Sequence, residues 1–120
     1  MELEIHSVAD KGDLENERLW LQVTADIADL MYFAASDTTY TDAGKVSNEL
    51  RHIYWFPPGW QATKGDWICL YSKNGTNSRS KNDKNTTTHT FYWNLGRTVW
   101  NKGKDQAIVF KLSTWTTKAV

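Results

Sequence analysis

Short runs of β-prone residues, separated by Gly, Pro, Asn and Asp, make up most of this chain, and helical periodicity is hard to find in it. Leu19, Leu21 and Val23 share one face at a period of two, as in a half-buried strand. The pair Pro57-Pro58 ends another run, because proline removes a backbone donor from a sheet. We expect strands at residues 2–6, 18–24, 30–35, 51–56, 67–71, 91–95, 99–103 and 106–112.

One of these segments fits two structures, and a loop follows it. Residues 30–35 are apolar on both faces, which fits a central strand or a short buried helix; six residues between Asp29 and Asp37 favour the strand. Residues 38–49 are polar and contain Gly44, so we expect a loop there.

The number and spacing of the runs predict an all-β fold, an antiparallel immunoglobulin-like β-sandwich of about 7–9 strands. A partly open β-barrel is the alternative. A chain of 120 residues is long enough for one hydrophobic core, so we expect residues 1–120 to form a single domain. The abundance of aromatic residues, with seven Trp, five Tyr and four Phe, is typical of a packed globular protein.

The formal net charge of zero hides an uneven distribution. Residues 1–60 carry 11 acidic and four basic side chains, whereas residues 61–120 carry three acidic and ten basic ones. A balanced total excludes a polybasic nucleic-acid binder or an acidic tail as a description of the whole chain. In a sandwich, early and late strands interleave, so we expect most of this difference to cancel between strands.

Residues 18–112 resemble the lamin tail domain. The similarity is strongest at residues 54–66, YWFPPGWQATKGD, followed by Ile68, Leu70 and Tyr71. Phe91-Tyr92-Trp93, Val99-Trp100-Asn101 and the residues up to Leu112 are similar to the closing pair of strands of that family. The resemblance implies an immunoglobulin-like sandwich that acts as a protein-, DNA- or membrane-associated interaction module without shared catalytic residues. No heptad pattern precedes residue 18, so the resemblance is to a bacterial or stand-alone type rather than to a nuclear lamin.

Residue types that carry catalysis or bind metals are present but are not arranged in known motifs. His6, His52 and His89 lie on separate segments, and Cys69 is the only cysteine, so a zinc-site spacing is missing. Cys69 lies between Ile68 and Leu70, where a small buried side chain is expected. Phosphate-binding glycine loops and nucleophile elbows are missing as well. We therefore expect no enzyme activity, no cofactor and no metal.

Residues 73–90 lack any aliphatic or aromatic side chain, and we expect a flexible polar excursion there. The excursion contains four basic residues and one acidic residue. Lys73, Arg79, Lys81 and Lys84 are therefore candidates for weak contacts with the phosphates of a nucleic acid. A solvated loop that is kept soluble by its charges is the simpler interpretation.

The seven Trp residues are the other unusual feature. Trp20, Trp55, Trp67, Trp93 and Trp100 lie in or beside predicted strands, and we expect most of them to pack in the core or at its rim. Trp60 follows a Pro-Pro-Gly turn and Trp115 is near the C-terminal end, so these two are the candidate exposed aromatic contacts. Exposed Trp side chains on a sandwich are suited to stacking on sugars or to forming a protein-binding hot spot.

Together these patterns predict a non-catalytic interaction module. An unidentified protein is the first candidate partner and a nucleic acid bound through the 73–90 loop is the second. A carbohydrate-binding module that uses exposed Trp residues is the alternative. The sequence contains no signal peptide or transmembrane segment, which favours a soluble cytoplasmic protein, and it leaves the oligomeric state open.

Overall fold

The computed structural model describes residues 1–39, 50–100 and 105–120. Within them, the chain forms eight β-strands and one single-turn 3₁₀ helix, Leu30–Tyr32. The strands are β1 (Leu3–Ala9), β2 (Arg18–Val23), β3 (Phe33–Thr39), β4 (Ile53–Trp55), β5 (Trp67–Tyr71), β6 (Ser78–Lys81), β7 (Thr87–Tyr92) and β8 (Asp105–Lys111).

The strands form two sheets that do not close into a barrel, so the fold is a β-sandwich and the alternative of a barrel is excluded. The five-stranded sheet has the order β1-β2-β5-β7-β6, and the three-stranded sheet has the order β4-β3-β8. Neighbouring strands are antiparallel, as predicted, except that β5 and β7 run parallel. This parallel pair is possible because the chain passes through the edge strand β6 between β5 and β7 and so returns to β7 in the direction of β5.

The core lies between the two sheets and follows the predicted alternation. In β2 and β5, Leu19 is opposite Leu70 and Leu21 is opposite Ile68, and all four side chains are fully buried. Side chains from the three-stranded sheet, among them Phe33 and Ala35, belong to the same cluster. Complete burial of each such aliphatic or aromatic side chain stabilises the fold by roughly 1.5–3 kcal/mol.

A β-bulge in β1 changes which side chains reach the outer face of the five-stranded sheet. Ile5 is opposite Leu21 and Ser7 is opposite Trp20, so that His6 is an extra residue in the ladder. A bulge kinks the strand and redirects its side chains. The ring of His6 consequently lies against Trp67, two strands away, with ring centroids 5.0 Å apart.

The structure differs from the prediction at residues 30–35. Leu30–Tyr32 is a 3₁₀ turn, and the strand extends from Phe33 to Thr39. The carboxylate of Asp29 accepts a hydrogen bond from the backbone N–H of Met31 at 3.0 Å and others from the N–H of Gly59 at 3.1 Å. This cap satisfies donors at the start of the turn, and an apolar run without periodicity gives no sign of it.

The polar residues 73–90 contain more regular structure than the predicted excursion. Residues 78–81 form β6, and β7 begins at Thr87 rather than at Phe91 and ends at Tyr92 rather than at Leu95. The strand predicted at residues 99–103 is not seen at Val99 and Trp100, and residues 101–103 lie outside the described part of the chain. A loop was predicted for residues 38–49, but Thr38 and Thr39 belong to β3. Residues 40–49 lie outside the described part of the chain.

Candidate ligand site on the five-stranded sheet

Two Trp side chains lie on the outer face of the five-stranded sheet. Trp20 and Trp67 occupy the strand positions that alternate with the buried Leu19, Leu21 and Ile68. Both are partly exposed. Their rings lie almost at a right angle, 85°, with centroids 6.1 Å apart.

These rings form part of an open cavity of about 350 Å³. The other residues that line it are small or polar: His6, Ser7, Ala9, Asn82, Asp83, Lys84 and Thr88. The size lies at the lower end of the range typical of small-molecule sites, and apolar rings with a few polar groups are the usual composition of such sites. The cavity therefore has the size and the lining of a ligand site.

The turn between β6 and β7 forms one wall of this cavity, and Asn82 holds it in place. The side-chain oxygen of Asn82 accepts hydrogen bonds from the backbone N–H groups of Lys84 at 3.0 Å and Thr86 at 3.1 Å. The Asn82 amide group also donates to the hydroxyls of Thr86 and Thr88. This bonding places the Lys84 ammonium 5.1 Å from the centroid of the Trp67 ring.

Further along the same face, cations again lie over aromatic rings. Lys73 Nζ is 4.8 Å from the centroid of Tyr71, which stacks on Tyr92 with an interplanar angle of 12°. The Arg18 guanidinium lies 5.9 Å from the centroids of Trp20 and Tyr71, and it forms an ion pair of 2.7 Å with Asp10. The hydrogen bond that Arg18 donates to the Asp10 carboxylate raises the pKa of Arg18. Of the cations on this face, Arg18 is neutralised by the carboxylate of Asp10.

The four basic residues singled out in the sequence do not form one patch. Arg79 is opposite His89 and Lys81 is opposite Thr87, so these two side chains share the inner side of the sheet with His89. Lys73 and Lys84 contact rings on the outer face, at the two ends of β5. A phosphate backbone that reached one pair of cations would therefore be separated from the other pair by the sheet.

Trp60 is partly buried rather than exposed as predicted, because it belongs to a chain of contacts. Arg79 covers its ring at 3.9 Å, and its indole N–H donates to His89 Nδ1 at 2.9 Å. His89 Nε2 in turn lies 2.8 Å from a carboxylate oxygen of Asp66. An indole nitrogen can only donate, so Nδ1 must accept and Nε2 must carry the proton.

The Asp66–His89 pair is closed to external chemistry in this arrangement. His89 is 3 % exposed, and both of its ring nitrogens are engaged. Burial raises the pKa of Asp66, but the hydrogen bonds from His89 and from the backbone of Thr63 and Thr87 outweigh burial and lower it. The pair therefore joins strands and turns and has no unoccupied nitrogen with which to take a substrate proton.

Trp115 is exposed, as predicted, with 42 % of its surface accessible. It packs edge-on against Trp55, with centroids 4.9 Å apart, and lies near Tyr32. Trp55 and Ile53 on the edge strand β4 are also exposed, at 47 % and 55 %. These four residues form a second aromatic surface, which we call the Trp115 surface, and a shallow cavity of about 370 Å³ adjoins it.

Of the five Trp residues expected mostly in the core or at its rim, Trp93 and Trp100 are buried, Trp20 and Trp67 are partly exposed, and Trp55 is exposed. The sequence contained a signal for the outward position of Trp20 and Trp67, because each alternates with apolar residues that face the core. The sequence contained no such signal for the 82–86 turn. Its position beside Trp67 depends on the pairing of β6 with β7.

Cys69 is buried, as predicted, although it lies in the same strand phase as Trp67 and Tyr71. Burial raises the pKa of its thiol to about 12. In the residues that the structure describes, no three His, Cys, Asp or Glu side chains are grouped as potential metal ligands. Nor does any helix in that part of the chain have the length and apolar character needed to cross a membrane.

Comparisons with known proteins leave the chain without an assigned family. No family model, no curated protein and no solved structure matches it.

Proposed function

We propose that this protein is a non-catalytic binding module and that its ligand is a carbohydrate held in the cavity beside Trp20 and Trp67. The observation that carries this proposal is the pair of partly exposed, nearly perpendicular Trp rings in a cavity that is otherwise lined by small and polar side chains. The resemblance to lamin tail domains agrees with a module that lacks catalytic residues, and membership of that family is itself part of the proposal.

A sugar ring has the surface chemistry that this cavity complements. Its C–H groups form apolar faces that can pack on an indole, and its hydroxyl groups need both donors and acceptors around the edge. The Trp20 and Trp67 rings supply the apolar contact, while Ser7 and Asp83 supply polar groups. The cavity is built on strands and on a hydrogen-bonded turn, so little ordering is needed when the ligand binds.

A glycan panel tests this proposal through intrinsic Trp fluorescence and calorimetry. Binding to at least one glycan should be weakened about tenfold or more by Trp67→Ala and by Trp20→Ala, because an aromatic contact is lost in each. Trp115→Ala is the matched control, since Trp115 is also accessible to solvent but belongs to the other surface. Loss of binding in the control alone, or the lack of any response across the panel, would contradict the proposal.

Protein binding is the second candidate function, and the Trp115 surface favours it. Trp and Tyr side chains are enriched at the centres of protein interfaces, and here they adjoin an exposed Ile on an edge strand. Peptides selected from a displayed library should lose binding to Trp115→Ala and keep binding to Trp67→Ala. The reverse pattern would instead assign those peptides to the cavity.

Nucleic-acid binding gains little support from the positions of the cations. A strand that used Lys73, Arg79, Lys81 and Lys84 together would have to reach both sides of the sheet. We therefore expect no DNA affinity that falls steeply with salt and disappears when all four are neutralised. A steep salt dependence that is removed by those substitutions would restore the prediction made from the sequence.

A further inference from the structure

Lys84 holds the position on Trp67 that a stacking ligand needs. Its ammonium lies over the ring at 5.1 Å from the centroid and also lines the cavity. The part of the chain that the structure describes offers it no ion pair, whereas Arg18 on the same face is paired with Asp10. Lys84 is therefore an ammonium group held against an aromatic ring without an ion pair to any residue that the structure describes.

A ligand that stacks on Trp67 has to accommodate the Lys84 ammonium. A neutral sugar has to displace the ammonium, and the attraction between cation and ring is then lost. A sugar with a carboxylate can enter beside the ammonium and pair with it, which leaves that attraction in place and adds a charge-assisted hydrogen bond. The second route is favoured energetically.

From this geometry, and resting on the proposed function, we infer that the ligand of the cavity is an acidic glycan, one whose sugar rings carry carboxylates. Lys84 is then the residue that determines the preference for charge. Asp83, the acidic residue of the cavity lining, follows Asn82 in the same turn and is suited to accept from a sugar hydroxyl. His6 also lies against Trp67, and its Nδ1 is hydrogen-bonded to the Ser7 hydroxyl.

Oligogalacturonate and its fully methyl-esterified form test this inference, because the two differ in charge and share the same sugar. Calorimetry should show that the acid binds the unmodified protein about tenfold or more tightly than the ester, as expected for one hydrogen bond to a charged group. The affinity for the acid should also fall as salt is added.

Three variants separate the role of Lys84 from a general effect of charge. Lys84→Met should abolish the preference, so that the acid and the ester bind this variant with equal affinity, because the ammonium that pairs with the carboxylate is gone. Lys84→Arg should keep the preference. Lys81→Met is the matched control on the same hairpin, because Lys81 bonds to Asn85 and points to the other side of the sheet.

The outcomes distinguish this inference from the function on which it rests. Equal affinity for the acid and the ester, or tighter binding of the ester, overturns the inference and leaves a carbohydrate module intact. Persistence of the preference in Lys84→Met also overturns it. Failure of both oligomers together with the whole glycan panel overturns the proposed function as well.

Discussion

Glu17 shows how single residues hold the described parts of this chain together. Its carboxylate is completely buried and accepts from the backbone N–H of Gly12 at 2.9 Å, from that of Val99 at 2.7 Å and from the Ser72 hydroxyl. The backbone N–H of Trp100 approaches the same carboxylate at 3.4 Å. One side chain thus joins the β1–β2 turn, the end of β5 and the segment that leads toward β8.

Glu17→Ala should lower the free energy of unfolding by about 3 kcal/mol, because several buried donors lose their acceptor at once. Glu17→Gln should be less damaging, since it keeps one acceptor oxygen, although its NH₂ group faces other donors. Urea unfolding followed by fluorescence measures both changes. A loss below about 1 kcal/mol for Glu17→Ala would show that water replaces the carboxylate at low cost.

Cys69 allows a test that reads one side chain directly. Burial raises the pKa of its thiol to about 12, so the thiolate that reacts with alkylating agents is scarce at pH 8. Mass spectrometry should show negligible modification by iodoacetamide in the native protein and complete modification in urea. Native modification at the rate of the unfolded chain would contradict the buried position of this thiol.

At the scale of elements, the β6–β7 hairpin is the part that the sequence predicted least well. Its strands consist mainly of Ser, Thr, Lys and Arg, and β6 is exposed along its whole length. Such an edge strand gains its place from backbone pairing and from charged side chains that discourage further strands, which hydrophobic periodicity does not register. The hydrophobic strands β2 and β5, by contrast, agree with their predicted ranges to within one residue.

The candidate site was also predictable only in part, namely where hydrophobic alternation determines the position of a side chain. The alternation that predicted the core also assigns Trp20 and Trp67 to the opposite face of their strands, so the rings of the cavity follow from the pattern. Lys84 and Asp83 do not, because their position depends on the hairpin. His6 reaches Trp67 only through a bulge, and a one-residue change of register carries no sequence signal of its own.

Gly75 tests how firmly the start of this hairpin is packed. A Cβ atom at that position would lie 2.3 Å from the ring of Tyr92, whose other neighbour is the stacked ring of Tyr71. Gly75→Ala should therefore lower the free energy of unfolding by about 1–3 kcal/mol, as overpacking usually does. Thermal unfolding should show a clear fall in Tm.

Asn74→Ala is the control for this prediction, because Asn74 is adjacent and exposed. Its effect should stay within about 0.5 kcal/mol. Equal Tm values for the two variants would mean that the segment moves away from Tyr92 without loss.

At the scale of the whole molecule, the acidic first half and the basic second half share both sheets. Strands β1 and β2 share one sheet with β5, β7 and β6, in which β2 pairs with β5, while β8 pairs with β3 in the other sheet. The ion pair of 2.7 Å between Glu2 and Lys111 crosses from one half of the sequence to the other. The separation of charge along the chain is therefore distributed through the fold rather than expressed as two charged ends.

The stability of the fold should depend on pH in the acidic range. The fold lowers the pKa values of three carboxyl groups. A hydrogen bond from Lys111 lowers that of Glu2, and hydrogen bonds from the backbone of Met31 and Gly59 lower that of Asp29. The pKa of Asp66 is lowered because the hydrogen bonds that it accepts outweigh its burial. The unfolded chain then binds protons at a higher pH than the folded protein does. Their stabilising contribution is complete above the unfolded pKa values of about 4 and is lost as the pH falls through the folded ones.

The opposite sign applies at high pH, where burial raises the pKa values of Cys69, Tyr54 and Tyr71. These groups lose protons first in the unfolded chain, so stability should decline above about pH 8.5 as well. Tm measured from pH 2 to 11 should therefore pass through a broad maximum near neutral pH.

Asp66→Asn should lower Tm at pH 7 and should weaken the dependence of Tm on pH in the acidic range, because one of the linked carboxylates is gone. A Tm that rises from pH 5 to pH 3, or an acid limb of unchanged slope in the variant, would contradict the role of the Asp66–His89 pair in folding.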